Sequence, residues 1–517
     1  MSEFKKANKK KYLKYFTNRF VFLVLFALLQ IGFFIATALW LNESSRYISY
    51  ALHLITAIVV LYILSRRGDP SFKLALVVPI MVFPIFGGLF YVFIRGQSSS
   101  LLFRKRTERV LKETDSLLKQ EKTAEMRFAL HHPSHRLQMR YLINRGGFPI
   151  YDGSESKYYP LADDCFTELV EKLKEAKSFI FVEYFIIQEG VMWNTVLDIL
   201  VQKASEGVDV RVLYDGLGTI KTLPGKYEKK LRKLGIRCSV FNPYIPILSD
   251  IQNNRDHRKI LVIDGEYAFT GGFNMADEYI NVYDRFGHWK DSAIMVRGEA
   301  VRSFTVLFLQ MWYLYNKKDK DADIERFLRS PSVEGEGFVH PYGDSPLDNE
   351  RVGHNVYRNI INRTDRYVYI MTPYLILDNE MMNTLSLAAE SGIDVRIITP
   401  HNADKWYVHV LTRSYYRELI EAGVRIFEYT PGFIHSKQFV SDDVVAAVGT
   451  VNLDYRSLFL HYECASLLYD CKAVTDIRDD FFRTQSRSTE ITSADCDRIS
   501  PLKRLGIQLL RLLAPLM

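Results

Sequence analysis

Two stretches of this chain carry the same chemically capable residues at the same spacing. The first holds His257, Lys259, Asp264, Gly271, Gly272 and Asn274; the second holds His435, Lys437, Asp442, Gly449, Thr450 and Asn452. On a strand, residues two apart share a face, so each His and its Lys point the same way. One histidine can attack phosphorus while the other protonates the departing oxygen. The lysines neutralise nonbridging oxygens, and the asparagine amides donate hydrogen bonds that tighten as charge develops. Such a set displaces an alcohol from a phosphodiester with no metal and no cofactor. The glycines at 271, 272 and 449 would let a phosphate approach the backbone closely, with the Thr450 hydroxyl beside it.

A histidine in either role must be held in one tautomer. Asp291 and Glu463, a little downstream of Asn274 and Asn452, are the candidate orienting carboxylates, with ordinary ion pairing as the alternative. Asp264 and Asp442 complete the catalytic signature. Their place at a strand end argues for a structural turn role.

The elements that must position these residues also recur. Phe179–Phe185 reads as a buried strand, followed by a helix ending near Gly207 and a second strand over 208–214. Tyr367–Tyr374 and 392–398 repeat that order, and Leu234-Gly235-Ile236-Arg237 is matched by Ala422-Gly423-Val424-Arg425. Each signature then falls on a strand, a turn and a returning strand. Alternation of strands and helices predicts an α/β fold. Its two similar halves, 144–316 and 350–490, would face each other about a pseudo-twofold axis across one cleft. A linker rich in charge, Gly and Pro over 317–349 joins them.

Before the first half lies a charged, helical connector, 101–143. His131, His132 and His135 cluster there without companion thiols or carboxylates, which predicts a solvated linker rather than a metal site. Residues 1–100 contain three apolar runs. Those over 20–41 and 48–64 predict a membrane hairpin with basic residues on one side of the membrane only, the lysines at positions 5–14 before it and Arg66 and Arg67 after it. That charge bias puts both ends, and the catalytic halves, on the cytoplasmic side of the cell membrane. The run over 74–94 contains Pro79, Pro84 and Gly87-Gly88, and reads as re-entrant, or else as a third span. The tail, 491–517, ends in a leucine-rich basic segment suited either to an anionic bilayer or to packing on the domain. With 67 Lys and Arg against 60 Asp and Glu, the chain is mildly basic. No basic groove interleaved with aromatics indicates nucleic acid. Five cysteines without a CxxC pair fit reduced thiols.

The doubled HxKx4Dx6GxxN pattern resembles the phospholipase D superfamily across roughly 144–482. The apolar N-terminal runs, Asn452-Leu453-Asp454-Tyr455-Arg456-Ser457 and the basic tail resemble bacterial cardiolipin synthases over nearly the whole chain. The resemblance implies two facing phospholipase D-like α/β/α domains. It also implies transfer of a phosphatidyl group from one phosphatidylglycerol to another, releasing glycerol, with phosphatidylglycerol and anionic membrane lipids as partners. The same signature serves hydrolytic phospholipases D, phosphatidylserine synthases and nucleases, because only the acceptor differs. Membrane tethering argues against a nuclease. Retention of both His-Lys pairs argues against a non-catalytic scaffold.

Overall fold

A computed structural model describes residues 43–66, 69–82, 98–244, 250–316, 323–348, 350–497 and 501–516, with the isolated positions 32, 35 and 319. The chain divides into two compact units. The larger comprises residues 104–243 and 254–507 and holds two mixed sheets.

In the first half, seven strands form one sheet. Phe179–Tyr184 lies parallel to Asp209–Asp215, which lies parallel to Arg237–Phe241. The signature strand Lys259–Ile263 runs antiparallel to Phe179–Tyr184 on its other side. The second half repeats the arrangement: Tyr367–Met371, Asp394–Pro400 and Arg425–Tyr429 are parallel, and Gln438–Ser441 is antiparallel to the first of them.

The strands are buried on both faces, which requires helices on both. Ile180, Val182 and Tyr184 point into a core with Cys165, Leu169 and Leu173 of the helix Ala162–Glu175. Asp163 and Asp164 at the start of that helix, and Lys172 and Lys174 at its end, oppose its dipole. The alternate residues Phe179 and Phe181 pack instead on Phe327 and on Phe308 of the helix Val301–Tyr315. In the second half Tyr369 stacks on Phe481 of the helix Lys472–Gln485, while Phe439 stacks on Tyr357 of the helix Val352–Asn362.

Two short parallel ladders join the halves. Arg255 and Asp256 pair with His461 and Tyr462, and Gly432, Phe433 and Ile434 pair with His288, Trp289 and Lys290. Each ladder stops immediately before a signature histidine on one side and at a carboxylate on the other.

Two segments differ from expectation. The helices Lys122–His131 and Arg136–Tyr141 bury His132 and His135, which pack on Phe128 and Tyr469. This part of the connector is therefore packed, not solvated: apolar burial outweighs its charged composition. The segment 317–349 ends in a central strand, Phe338–Asp344, paired with His461–Tyr469. Pro341 and Gly343 disguise that strand in the sequence.

In the smaller unit, Ile63 of the helix Glu43–Ser65 packs with Val77 and Ile80 of the helix Pro70–Val82. Among the described residues no helix is long and apolar enough to cross a membrane. The expected hairpin is thus not supported. Its first run, 20–41, falls outside the described residues apart from Gly32 and Ile35. Its second lies in a helix opened by Glu43 and Arg46 and interrupted by His53 and Thr56. The third run enters the helix Pro70–Val82, which carries Pro79 inside it. Residues 83–97 are outside the described residues.

Candidate active site

The ladders between the halves decide where the signature residues go. The His257 amide continues the first ladder by donating to the Tyr462 carbonyl (2.9 Å), and the His435 amide continues the second by donating to Lys290 (2.7 Å). The next residue on each partner strand is a carboxylate. Glu463 places both oxygens 2.9 Å from His257 Nδ1, and Asp291 Oδ2 lies 2.7 Å from His435 Nδ1. Each histidine is oriented by a carboxylate from the opposite half. A carboxylate only accepts, so Nδ1 carries the proton and Nε2 keeps its lone pair.

The lysines sit beside their histidines. Lys259 Nζ donates to the His257 carbonyl (2.6 Å), and Lys437 Nζ lies 2.8 Å from His435 Nδ1. Burial holds His257 well below the ordinary histidine range, helped by Lys259, Lys437 and His435. Burial, with Lys437, pushes His435 down to about 4 against the pull of Asp291. The same desolvation lowers Lys259 to about 8 and Lys437 to about 7. The crossed pairs His257–Glu463 and His435–Asp291 bring the two signatures into one site. The arrangement offers two neutral nucleophilic nitrogens and two cationic lysines, all buried, which suits an anionic phosphodiester.

The family pattern for the cardiolipin synthase, phospholipase D-like domain matches residues 169–312 and 357–484. The chain belongs to this family. It is 33% identical to a cardiolipin synthase of Alkalihalophilus pseudofirmus, over 97% of this chain and all of that one. An uncharacterized protein of Streptococcus mutans is 43% identical over 89% of this chain and 99% of its own length. Among solved structures, the phosphatidylserine synthase of Haemophilus influenzae aligns with a TM-score of 0.58 at 16% identity. That alignment covers 73% of this chain and 99% of the other, and supports the shared fold.

Within this family site, not every signature residue faces the histidines. Asp264 accepts the amides of Lys177, Ser178 and Phe179 at 2.7–2.8 Å. Asp442 accepts those of Asp365, Arg366 and Tyr367 at 2.7–3.0 Å. Both adopt positive φ, 54° and 57°. They tie each signature turn to the start of the neighbouring strand, the structural role the sequence suggests. Their carboxylates are committed to these amides at the strand's far end from the histidines.

Asn274 and the small residues have partners within the protein. Asn274 uses its Oδ1 on the Ile186 amide (3.0 Å) and its Nδ2 on the Tyr279 hydroxyl (2.8 Å). Asn452 is buried with Oδ1 unpartnered. Thr450 turns its hydroxyl to Glu463. Gly271 and Gly449 abut the neighbouring strands at Ala293 and Ala465, and Gly272 abuts Asp291 and the His435 carbonyl. Their smallness serves strand packing and the approach of the two halves.

Sequence reasoning missed His461 and Arg456. Arg456 Nε donates to His461 Nε2 (3.2 Å), which leaves the proton on Nδ1, 3.5 Å from Glu463 Oε1. The His461 ring lies 5.3 Å from that of His257. Also unforeseen is the aromatic wall of Tyr279, Trp289 and Phe433 around His435, with ring centroids 5.5–5.9 Å away. Their only sequence signal is adjacency to Asn274, Asp291 and His435. Among the described residues, the donor set able to hold a cation is His257, His461 and Glu463. Arg456 beside His461, and Lys259 beside Glu463, oppose an added cation there.

Proposed function

We propose that this protein is a cardiolipin synthase, transferring a phosphatidyl group between two phosphatidylglycerol molecules through a phosphohistidine. The carrying observation is the reciprocal pairing of His257 with Glu463 and His435 with Asp291, beside two buried lysines. One histidine Nε2 attacks phosphorus; the other, holding a proton once the anionic lipid has offset the lysines, delivers it to the departing glycerol oxygen. A second phosphatidylglycerol then gives its hydroxyl proton to that histidine and attacks the phosphohistidine. Relatives named as cardiolipin synthases, matched along nearly their full length, support the lipid substrate.

The protein works at the cell membrane, with the catalytic halves on the cytoplasmic side. The observations behind this are the exposed apolar residues Leu54, Ile58 and Leu61 of the helix Glu43–Ser65, and the lysines at positions 5–14. The exposed Leu505, Leu509 and Leu513 of the basic helix Pro501–Leu513 add a second apolar stripe.

The test is purified full-length protein in phosphatidylglycerol vesicles, with lipid products read by mass spectrometry. Cardiolipin and free glycerol in equal amounts are expected. Phosphatidic acid as the main product, without cardiolipin, would overturn the synthase reading. Protease digestion of right-side-out and inverted membrane vesicles checks the sidedness: cleavage of the catalytic halves is expected in the inverted ones alone.

A further inference from the structure

The two histidines are served by one cation more than the signatures supply. Lys259 and Lys437 lie beside His257 and His435, and Arg456 is the third. It belongs to the short helix Tyr455–Phe459 and is half-buried. Its Nε donates to His461 Nε2 (3.2 Å), and the His461 ring lies 5.3 Å from that of His257. On its other side, His461 Nδ1 is 3.5 Å from Glu463 Oε1, the carboxylate that orients His257. Glu463 thus ties the guanidinium and the reacting histidine to one reference point.

The rest of that guanidinium is uncommitted. Among the described residues, Arg456 Nη1 and Nη2 make no hydrogen bond and no ion pair. The carboxylates whose charge reaches it are engaged elsewhere. Asp454 caps the helix of Arg456 by accepting the Ser457 amide (2.9 Å). Asp215 accepts the amides of Leu217 (2.7 Å) and Gly218 (2.8 Å) and pairs with Arg255 (3.4 Å). Burial lowers the Arg456 guanidinium against the pull of Asp454, and the like charge of Arg255 lowers it further. Arginine stays charged nonetheless. A desolvated cation without a counter-ion is costly, and a bound anion offsets that cost. The two free nitrogens form a planar fork that matches two oxygens of a phosphate.

Transfer between two phosphatidylglycerols brings two phosphodiesters to the site. One reacts; the other already belongs to the entering lipid, three carbons from its attacking hydroxyl. Lys259 and Lys437, beside the histidines, serve the first. We propose that Arg456 binds the second, holding the phosphodiester of the acceptor lipid so that its terminal hydroxyl meets the phosphohistidine. The inference rests on the phosphatidyl-transfer reading and adds what makes an anionic lipid the acceptor in place of a neutral alcohol. The hydroxyl oxygen then forms the O–P bond, the histidine N–P bond breaks, and the hydroxyl proton passes to the second histidine.

The test is a competition for one phosphoenzyme. Full-length enzyme in mixed micelles receives phosphatidyl-p-nitrophenol with deuterated acyl chains, and equal phosphatidylglycerol and 1-O-hexadecylglycerol as acceptors. Both acceptors present a glycerol diol on a lipid anchor, and the second lacks the phosphate. Mass spectrometry gives the ratio of labelled cardiolipin to labelled phosphatidyl-hexadecylglycerol, which does not depend on how much enzyme is folded. The wild type is expected to favour cardiolipin, and Arg456→Ala to lower the ratio about tenfold or more, the scale of charge-assisted hydrogen bonds. Arg456→Lys, which keeps the charge without the fork, should lower it less. Arg456→Gln should act like Arg456→Ala and carries the test if that variant fails to fold. A residue that only positions His461, or that binds the reacting phosphate, slows both products alike. An unchanged ratio in Arg456→Ala or Arg456→Gln therefore overturns the assignment, even where p-nitrophenol release falls. A wild-type ratio near one overturns it too. Absence of p-nitrophenol release by the wild type would instead sink the transfer chemistry itself.

Discussion

Glu463 lies 206 residues beyond His257 and belongs to the other half of the molecule, yet both its oxygens stand 2.9 Å from His257 Nδ1. Asp291 and His435 form the reverse pair across 144 residues, at 2.7 Å. Neither half supplies the carboxylate that orients its own signature histidine. The site exists only where the halves meet, and the cross-half ladders set its geometry.

Neutralising either carboxylate should therefore cripple turnover while leaving the fold. Glu463→Gln and Asp291→Asn keep their shapes but lose the charge that stabilises an imidazolium and selects its tautomer. A fall in kcat of at least about 10²-fold is expected in each, with unchanged circular dichroism. His257→Ala and His435→Ala should each abolish turnover. A carboxylate variant within threefold of wild type would refute the orienting role.

The pH profile follows from the shifted groups. His435, lowered to about 4, is neutral and has a free lone pair above that pH. Lys437 and Lys259, lowered to about 7 and about 8, keep the charge that binds phosphate only below those values. Thus kcat/KM should rise through pH 4 and fall between pH 7 and 8. Bound phosphate favours the charged lysines, so the alkaline limb of kcat should lie higher than that of kcat/KM. Lys437→Arg should move the alkaline limb upward, since arginine stays charged. An alkaline limb at the same pH in that variant would rule out Lys437 as its source.

Asp264 and Asp442 carry a different expectation. Each carboxylate accepts three backbone amides at a turn with positive φ. Replacement by Ala strands those donors and should cost about 1–3 kcal/mol, seen as a lower Tm. The activity of the folded fraction should fall far less than in the histidine variants. A loss of activity as complete as theirs, with Tm unchanged, would return the aspartates to the chemistry.

Most of the frame was legible because it is local. The runs Phe179–Phe185 and Tyr367–Tyr374, the Gly-Ile and Gly-Val helix ends and the HxK spacing each follow from short-range patterns. Both carboxylates could be named too, since each follows its own asparagine. The crossing could not: which histidine a carboxylate serves depends on ladders between residues far apart in the chain. The partners of Thr450 and Asn274, Glu463 and Ile186, could not be read for the same reason, being fixed by packing. His461 gave no signal, because a lone histidine beside a carboxylate means nothing until its neighbours are known. The apolar runs of the first hundred residues read as spans by hydropathy alone. For the second run, Glu43, Arg46, His53 and Thr56 within its helix weigh against that reading.

Gly272 tests the approach of the halves most sharply. It occupies the position matched by Thr450 in the second signature, so a side chain is chemically tolerable at such a place. A Cβ here, however, would strike the Asp291 carboxylate and stand 2.8 Å from the His435 carbonyl. Neither neighbour can yield freely, because Asp291 also holds His435 Nδ1 and the His435 amide is bonded to Lys290. Overpacking of this kind costs about 1–3 kcal/mol. Gly272→Ala should therefore lower Tm modestly and kcat severely, since the displaced group is the one orienting His435. Gly449→Ala presses on Ala465 and the Cys464 carbonyl, away from Asp291, and should lower Tm with a smaller loss of kcat. Equal kcat losses in the two variants would show that general packing, not the Asp291–His435 pair, is what Gly272 protects.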